Sequence, residues 1–388
     1  MAHDVEGAAV YAELQNEIYL RGEPSPYPIE WRALEAAARE RTTEEAWGYL
    51  AGGAGGEDTV RANREAFDRW RIVPRMLRMV GTRDLRATVL GTAMPAPVMV
   101  APVGVQQIIH PDGELATARA AGSVGVPYVH STAAGASIED AAAAAGDGPR
   151  WFQLYFPTDR ELAASFVARA EAAGYSAVVV TVDTLLLGWR PRDLTTAYLP
   201  FLRGIGLANY TSDPVFTRGL PAGDLEATVR KWVETFPNPD LSWADIAWVA
   251  ERTSLPVLVK GICAADDARL ALEAGARGVI VSNHGGRQVD GAVAALDVLP
   301  DVVAALPEGV PVLFDSGVRT GADAVKALAL GAAAVLLGRP VMWGLAVGGE
   351  DGVRHVLRAF LAELDSTLAM AGCRGPAELS PATLACRP

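Results

Sequence analysis

The sequence has few residues for cross-links and no stretch suited to a membrane. Its three cysteines among 388 residues, Cys263, Cys373 and Cys386, lie far apart and in no spacing that would hold a metal. No apolar run approaches the length of a bilayer span, and the N-terminus lacks the charged and apolar regions of a signal peptide. These absences predict a cytoplasmic protein with reduced thiols, no metal centre and no membrane partner.

Positive charge is scarce as well. The chain has 34 lysines and arginines against 46 aspartates and glutamates, a formal net charge of −12. Because nucleic-acid binding needs a basic patch, this balance argues against a nucleic-acid partner and favours solubility as the meaning of the acidity. Hydrophobic residues make up 50% of the chain, and its length allows one large domain or two medium ones.

From Val98 onward the sequence repeats a short apolar strand, a polar or glycine turn and an alanine-rich amphipathic helix. Short runs rich in β-branched residues and bounded by turns are typical of buried parallel strands. Eight alternating units of this kind indicate an α/β protein with a closed (β/α)8 TIM barrel. The predicted strands are Pro97–Val103, Tyr128–Ser131, Trp151–Tyr155, Ala177–Val182, Val257–Lys260, Gly278–Ser282, Val312–Asp315 and Ala334–Leu337.

Three regions differ from this pattern. Residues 1–96 are predicted to form a helical segment that caps one end of the barrel, which itself spans residues 97–378. The insert 184–240 follows the fourth strand, at the end where barrels place their active sites. Because connections of this length are usually functional or mobile, the insert is predicted to be a lid. Residues 379–388 are predicted to be a loosely ordered tail.

Polar side chains follow the ends of successive predicted strands. Polar groups are costly inside an apolar barrel unless they are paired, so their position predicts that they surround one mouth of the barrel. They are Gln153 and Tyr155 at the end of strand three, Thr181 and Asp183 at that of strand four, Lys260 at that of strand five, Ser282 and His284 at that of strand six, Asp315 at that of strand seven and Arg339 at that of strand eight.

The segment Ser282–Arg287 carries the strongest chemical signal. His284 and Arg287 flank two glycines, which let the backbone turn tightly beside a ligand. An imidazole can accept a proton near neutral pH, and a guanidinium can hold a carboxylate with two charge-assisted hydrogen bonds. Asp183 could orient the imidazole and raise its basicity. The alternatives are a structural histidine, a surface arginine and a capping aspartate.

Two further features indicate contacts with anions or a cofactor. Lys260 is predicted to meet an anion or cofactor or to act as a Schiff-base nucleophile; the alternative is a lysine whose ammonium reaches solvent. Asp315–Arg319 together with Gly338 and Arg339 predicts a phosphate site, because the loops after strands seven and eight of barrels commonly bind phosphate. The alternative is ordinary glycine turns with surface arginines. The remaining histidines are interpreted as structural or surface residues: His3, His110, His130 and His355.

A set of motifs spread along the chain carries a family resemblance. They are AGGAGGEDT, VAPVGV, STAAGASIED, FQLY, TVDT, LVKG, VSNHGGRQ, FDSGVRTGAD and LGRP. On these motifs, from about Val10 to Gly375, the chain resembles the FMN-dependent 2-hydroxy-acid oxidase and dehydrogenase family. Within that family it is most similar to lactate 2-monooxygenase, in the segments GWRPRDL, NYTSDPVF and NEIYLRG.

The resemblance implies FMN as cofactor and a role for each matching residue. The implied catalytic residues are His284 as general base, Asp183 beside its imidazolium, Tyr155 at the reacting oxygen and Lys260 near N1 and O2 of the flavin. The implied carboxylate-binding residues are Tyr49, Arg190 and Arg287. The implied FMN contacts are Ala101, Pro102, Val103, Ser131, Gln153, Thr181, Ser282 and Asp315 along the flavin and ribityl chain, and Gly317, Arg319, Gly338 and Arg339 at the phosphate.

Two pocket positions depart from the glycolate oxidase pattern. That enzyme has Trp where this chain has Ala133, and Ala where it has Gly104. Both residues are expected to contact the substrate, and their small size predicts room for a side chain bulkier than that of glycolate.

The function implied by the resemblance is oxidation of a 2-hydroxy acid to the 2-oxo acid with O2 as acceptor. Oxidative decarboxylation, as in lactate 2-monooxygenase, would follow if the oxo acid stayed with the peroxide under the lid. The alternative is an oxidase or dehydrogenase of a mandelate-like acid that releases hydrogen peroxide. Two other classes remain open, a Schiff-base aldolase acting through Lys260 and a non-catalytic flavin- or phosphate-binding barrel. The family also implies a homotetramer.

Overall fold

The computed structural model describes residues 13–386. Several predictions fall on residues outside this range. They concern His3, the start of the family resemblance at Val10, and the outermost residues of the predicted cap and tail. None of the described helices is long and apolar enough to cross a bilayer.

Four helices and three short strands precede the barrel. They are α1 (Glu13–Arg21), α2 (Trp31–Arg41), α3 (Glu44–Ala51), α4 (Asp58–Arg69), β1 (Trp70–Ile72), β2 (Ala87–Val89) and β3 (Thr92–Met94). The helix α3 begins at a Thr43 cap, whose hydroxyl accepts the Ala46 N–H over 3.2 Å.

Eight parallel strands close into a barrel in the order of the chain, which confirms the predicted fold class. They are β4 (Val98–Val100), β5 (Tyr128–Ser131), β6 (Arg150–Leu154), β7 (Val178–Thr181), β8 (Val257–Ile262), β9 (Gly278–Val281), β10 (Val312–Phe314) and β11 (Ala334–Leu337). Two of these strands have the predicted bounds. The strand predicted over Pro97–Val103 is shorter because Pro102 lacks the N–H that would continue the ladder.

Helices follow the strands around the outside of the barrel. They are α5 (Gly113–Ser123), α6 (Ile138–Ala145), α7 (Arg160–Ala172), α12 (Trp243–Ala250), α13 (Ala265–Glu273), α14 (Ala295–Ala305), α15 (Gly321–Ala329) and α16 (Arg339–Met370), the last interrupted at Gly348 and Gly349. The insert after β7 adds α8 (Pro191–Thr196), α9 (Ala208–Thr211), α10 (Pro214–Thr217) and α11 (Leu225–Thr235).

The interior of the barrel is apolar in the half nearer the amino-terminal ends of the strands. Successive side chains of a strand point to opposite faces, so one residue of each strand fills the same inner layer. That layer consists of Met99, Val129, Trp151, Val179, Leu258, Ile280, Leu313 and Leu336.

The segment before the barrel reaches both of its ends rather than one. The β2–β3 hairpin closes the amino-terminal end, where Val89 and Met94 pack on the inner layer and Thr92 Oγ1 accepts a 2.8 Å hydrogen bond from Trp151 Nε1. At the opposite mouth, the Ala54 N–H donates to the Gly286 carbonyl over 2.9 Å. This second contact brings the end of α3 to the predicted site.

The prediction of a loosely ordered tail is wrong for the tail residues up to Cys386. Residues Leu384–Cys386 form β12, which pairs antiparallel with β1. The Val73 N–H also donates to the Thr383 carbonyl over 2.9 Å. Backbone pairing of this kind fixes a terminal segment that composition alone would leave free.

Candidate active site

A polar layer lies one pleat above the apolar inner layer. Each member stands two residues beyond an inward apolar residue, so it projects into the barrel at the carboxyl ends of the strands. Six of the eight positions are polar: Ser131, Gln153, Thr181, Lys260, Ser282 and Asp315, with Ala101 and Gly338 completing the ring. The sequence pattern thus brings the polar strand ends together, as predicted.

This layer forms the floor of a cavity whose empty volume, including its open mouth, is about 1260 Å³. Of the residues predicted for the site, 17 line it: Tyr49, Ala101, Pro102, Val103, Gly104, Ser131, Ala133, Tyr155, Arg190, Lys260, His284, Arg287, Asp315, Gly317, Arg319, Gly338 and Arg339. The other four lie immediately behind the lining or in the floor: Gln153, Thr181, Asp183 and Ser282.

The loop after β9 presents His284 to the cavity. His284, Gly285 and Gly286 all have positive φ, at 58°, 65° and 78°, so the chain turns back within three residues. The Ser282 hydroxyl accepts the His284 N–H over 3.1 Å. Asn283 fixes the turn from the other side, because its side chain and that of Asn63 on α4 exchange two hydrogen bonds of 2.8 Å.

His284 is paired with Asp183, as predicted. Its Nδ1 lies 2.7 Å from Asp183 Oδ1, and the Thr184 hydroxyl lies 3.3 Å from the same nitrogen. Burial lowers the pKa of His284 more than the Asp183 charge raises it, so the predicted gain in basicity is outweighed. Although burial acts against it, the pKa of Asp183 is lowered by His284 and Lys260. The pair is therefore a neutral imidazole beside a carboxylate.

Lys260 is enclosed at the floor of the cavity. Its Nζ lies 3.1 Å from Asp315 Oδ2 and donates to Ser282 Oγ over 2.9 Å. Burial lowers the pKa of Lys260, but the charges of Asp315 and Asp183 outweigh it, and the net pKa is raised. A Schiff-base lysine needs a neutral amine. The ion pair keeps Lys260 an ammonium, which argues against the aldolase alternative and suits an anion-stabilising role.

Two of the arginines predicted to bind a carboxylate, Arg190 and Arg287, line the cavity. Arg287 donates to the Gly52 carbonyl over 2.6 Å, and its guanidinium lies 5.1 Å from the ring centroid of Tyr49. Arg190 donates to the Arg287 carbonyl over 3.0 Å. Burial, followed by the charge of Arg190, lowers the pKa of Arg287 to about 9. An anion bound between the two guanidinium groups would relieve this repulsion.

Two further arginines lie at the ends of β10 and β11. Arg339 donates to the carbonyls of Gly285 and Gly52 over 3.0 and 3.2 Å, and Arg319 lies 5.1 Å from the ring centroid of Trp343. Burial, followed by a neighbouring arginine in each case, lowers the pKa of Arg319 to about 10 and that of Arg339 to about 9. Within residues 13–386, neither guanidinium has a carboxylate at ion-pair distance.

These features fit FMN. Among the described residues, the half-buried guanidinium groups of Arg319 and Arg339 have no carboxylate partner, and a phosphate would supply the anion. In the described part of the chain, the buried Gln153 Nε2 and Thr181 Oγ1 have no hydrogen-bond partner, which is costly unless a ligand satisfies them. The Lys260 ammonium at the floor would face the flavin as a positive charge.

Tyr155 projects from the end of β6 toward the same space. Burial, together with the charge of Asp183, raises its pKa to about 12, so the phenol stays protonated and can donate a hydrogen bond. Its ring lies 5.4 Å from that of Phe236.

The predicted extra volume is not found in the Cβ direction of Gly104. A Cβ there would lie 2.4 Å from the Ala133 carbonyl oxygen and 2.9 Å from the Ala133 Cβ. The absent side chain therefore allows two loops to approach closely instead of opening space.

Sequence reasoning missed an aromatic wall that lines the cavity from the insert. Phe201 stacks on Trp232 at 4.6 Å and 21°, and Trp232 stacks on Phe236 at 5.5 Å and 26°. All three line the cavity. A signal existed: Asp224 is a helix-capping residue, and Trp232 in the last turn of α11 stands four residues before Phe236, which directly follows the helix.

Comparisons with known proteins agree with this geometry. Residues 38–386 match the family described as FMN-dependent dehydrogenase. The chain is 44% identical to an L-lactate oxidase of Lysinibacillus sphaericus over 348 residues, which cover 90% of each chain. It is 43% identical to 2-hydroxyacid oxidase 1 of Mus musculus, over 88% of this chain and 92% of that one. The crystal structure of a mandelate oxidase with (S)-4-hydroxymandelic acid is similar, with a TM-score of 0.83 and 41% identity over 92% of this chain and 98% of that one.

Proposed function

Since the chain belongs to the FMN-dependent dehydrogenase family, its reaction is the oxidation of a 2-hydroxy acid to the 2-oxo acid with O2 as acceptor, and we propose how its own residues serve that reaction and which acids it accepts. The observation that carries the proposal is the position of the His284–Asp183 pair and the Arg287 guanidinium on one cavity. FMN, when bound, accepts two electrons from the substrate and passes them to O2.

FMN would be held by residues from every side of the barrel mouth. The Arg319 and Arg339 guanidinium groups, with the glycine turn at Gly317, would hold the phosphate. Gln153 and Thr181 would use their unpaired polar atoms on the cofactor. Lys260 would keep a positive charge beside the ring system.

The substrate carboxylate would bind between Arg287 and Arg190, with Tyr49 beside them. A guanidinium can present two parallel donors to a carboxylate, which fixes the orientation of the acid as well as its position. Positioning of this kind can supply several kcal/mol of the barrier, of the order measured for well-oriented intramolecular reactions. The acid would then be held with its hydroxyl near His284.

His284 would take the proton from the substrate. Because Nδ1 faces the Asp183 carboxylate, the proton of the neutral ring belongs on Nδ1 and the acceptor is Nε2. Asp183 would stabilise the imidazolium once it forms. The protonated phenol of Tyr155 would donate a hydrogen bond to the reacting oxygen.

The wall formed by Phe201, Trp232 and Phe236 supports a bulky apolar substrate side chain. The wall continues from the Tyr155 ring, so a group attached to the α-carbon would lie against it. Aromatic rings contribute about 0.5–1.5 kcal/mol per pair beyond their buried area, which favours an aryl over a methyl group. The likeness to a mandelate oxidase structure supports the same class of acid.

A substrate panel tests the proposal. Lactate, both enantiomers of mandelate and a long-chain 2-hydroxy acid are compared by kcat/KM, with hydrogen peroxide and carbon dioxide measured in the same reactions. We expect the highest kcat/KM with an aromatic acid, and peroxide as the coproduct. Carbon dioxide in place of peroxide would instead support the oxidative decarboxylation that the resemblance to lactate 2-monooxygenase implies. In that case the insert 184–240 would act as the predicted lid and keep the oxo acid with the peroxide. A cytoplasmic location and a homotetramer stay predictions.

A further inference from the structure

The loop that runs along the cavity after β4 is strained. Val103, Gly104 and Val105 line the cavity, and Val105 has a left-handed backbone with φ of 51°. A β-branched residue adopts this conformation only where its surroundings impose it. One restraint is the Val105 N–H, which donates to the Ala133 carbonyl over 2.9 Å.

A buried polar group behind the loop supplies the other restraints. Gln106 is fully buried; its Nε2 donates to the Val103 carbonyl over 2.8 Å, and its Oε1 accepts from the Thr117 hydroxyl over 2.6 Å. Its backbone N–H donates to Glu114 Oε1 over 3.0 Å. Glu114 and Thr117 both lie on α5 and are also fully buried. Gln106 thus joins the loop to α5 through both its backbone N–H and its side-chain amide.

Burying these groups is costly unless hydrogen bonds compensate for the lost contacts with water. A buried glutamate is among the least favoured residues in a protein interior, and here burial raises its pKa. Neither Gln106 nor Glu114 lines the cavity; both are fully buried behind the loop. One hydrogen bond from each side chain ends on the backbone of the loop: Gln106 Nε2 donates to the Val103 carbonyl, and Glu114 Oε1 accepts the Gln106 N–H.

We propose that Gln106 and Glu114 are positioning residues that hold the Val103–Val105 backbone in the shape required against the flavin. The inference rests on the proposed function in one respect, namely that the group opposite the loop is the flavin. The restraint itself belongs to the chain and is measurable without cofactor or substrate.

Amide hydrogen exchange of the FMN-free protein tests the restraint. Gln106→Met keeps the length of the side chain but can neither donate nor accept strongly. We expect exchange of peptides covering residues 101–108 to rise about tenfold, the change that follows the loss of one or two buried hydrogen bonds, while peptides covering 312–320 are unchanged. Gln107→Met is the matched control, because Gln107 is the next residue and is exposed.

Further variants separate positioning from a general loss of stability. Thr117→Val removes only the hydroxyl that holds Gln106, so its effect and that of Gln106→Met should not add in the double variant. Glu114→Gln keeps an acceptor oxygen and should raise exchange much less than Glu114→Met. If Gln106→Met does not fold, the exchange of peptides covering residues 101–108 in Thr117→Val alone tests the proposal, and we expect it to rise.

The cofactor-loaded protein gives the second readout. We expect Gln106→Met to lower kcat with little change in KM and to shift the visible absorption bands of bound FMN, because the loop faces the cofactor and not the substrate carboxylate. Uniformly faster exchange across the chain, additive effects of the two variants, or an unchanged 101–108 segment would overturn the proposal. Failure of all 2-hydroxy acids as substrates would overturn the proposed function alone.

Discussion

His284 Nδ1 and Asp183 Oδ1 lie 2.7 Å apart although the two residues are about a hundred positions apart in the chain. The first belongs to the turn after β9 and the second follows β7. Since β7, β8 and β9 are parallel and lie in this order in the barrel, their carboxyl ends bring the two side chains together. The contact favours the tautomer with the proton on Nδ1, which leaves the Nε2 lone pair available to accept a proton.

Replacing His284 should remove the base and leave the cofactor site intact. His284→Ala is expected to lower kcat by about 10²-fold to 10⁴-fold, the usual contribution of a general base. FMN content, measured by absorbance of the purified protein, should stay near that of the wild type. His355→Ala, away from the cavity, is the control. A turnover rate near that of the wild type would remove His284 from the mechanism.

The pH dependence should report the lowered pKa of His284. A protonated imidazole cannot accept a proton, so kcat/KM falls as the pH drops through this pKa; because burial lowers it, the fall should lie below the ordinary value of about 6.5. Asp183→Asn removes a charge that raises the pKa of His284, so the fall in kcat/KM should move to still lower pH. We also expect kcat to drop. A move to higher pH would contradict the assigned pair.

The periodic part of the fold is what the sequence could predict. Strand bounds at Tyr128–Ser131 and Ala334–Leu337 agree because turn residues bound each run: Gly125 and Pro127 precede the first, and Gly331 and Gly338 flank the second. The polar ring was predictable for a related reason: each polar residue stands two positions beyond a buried one, and a strand repeats every two residues.

Long-range contacts could not be predicted in this way. The pairing of β1 with β12 joins strands more than 300 residues apart, Trp70–Ile72 and Leu384–Cys386, and no local pattern encodes it. The aromatic wall depends on how the insert folds back over the barrel, which composition rich in glycine and proline does not show. Gly104 was misjudged for the same reason, since its neighbour Ala133 comes from another loop.

Arg287→Lys should weaken substrate binding, because one ammonium cannot reproduce two parallel donors. We expect KM to rise about 10-fold to 100-fold with FMN binding unchanged, measured by steady-state kinetics. Arg192→Lys is a matched control, since that arginine is on α8 nearby but pairs with Glu57. An equal rise in KM in both variants would point to a general effect of the insert.

Arg339→Gln should weaken the binding of FMN but not that of riboflavin. The substitution removes the charge at the proposed phosphate site, and a hydrogen bond to a charged group contributes about 1.5–3 kcal/mol. Quenching of flavin fluorescence by the FMN-free protein should give a Kd for FMN about 10-fold to 100-fold higher. Riboflavin lacks the phosphate, so its Kd should not change. Equal losses for both flavins would place the phosphate elsewhere.

The aromatic wall should set the preference among acids. Phe236→Ala removes the ring that joins the wall to Tyr155, and we expect kcat/KM for mandelate relative to lactate to fall about tenfold, in line with the loss of one aromatic contact and its buried area. Phe236→Leu keeps apolar volume without a flat ring, so it should retain long-chain acids better than mandelate. Phe216→Leu is the control, because Phe216 is buried in the insert and does not line the cavity. If all three variants keep the same ratio of mandelate to lactate, the wall only packs the insert and the substrate side chain lies elsewhere.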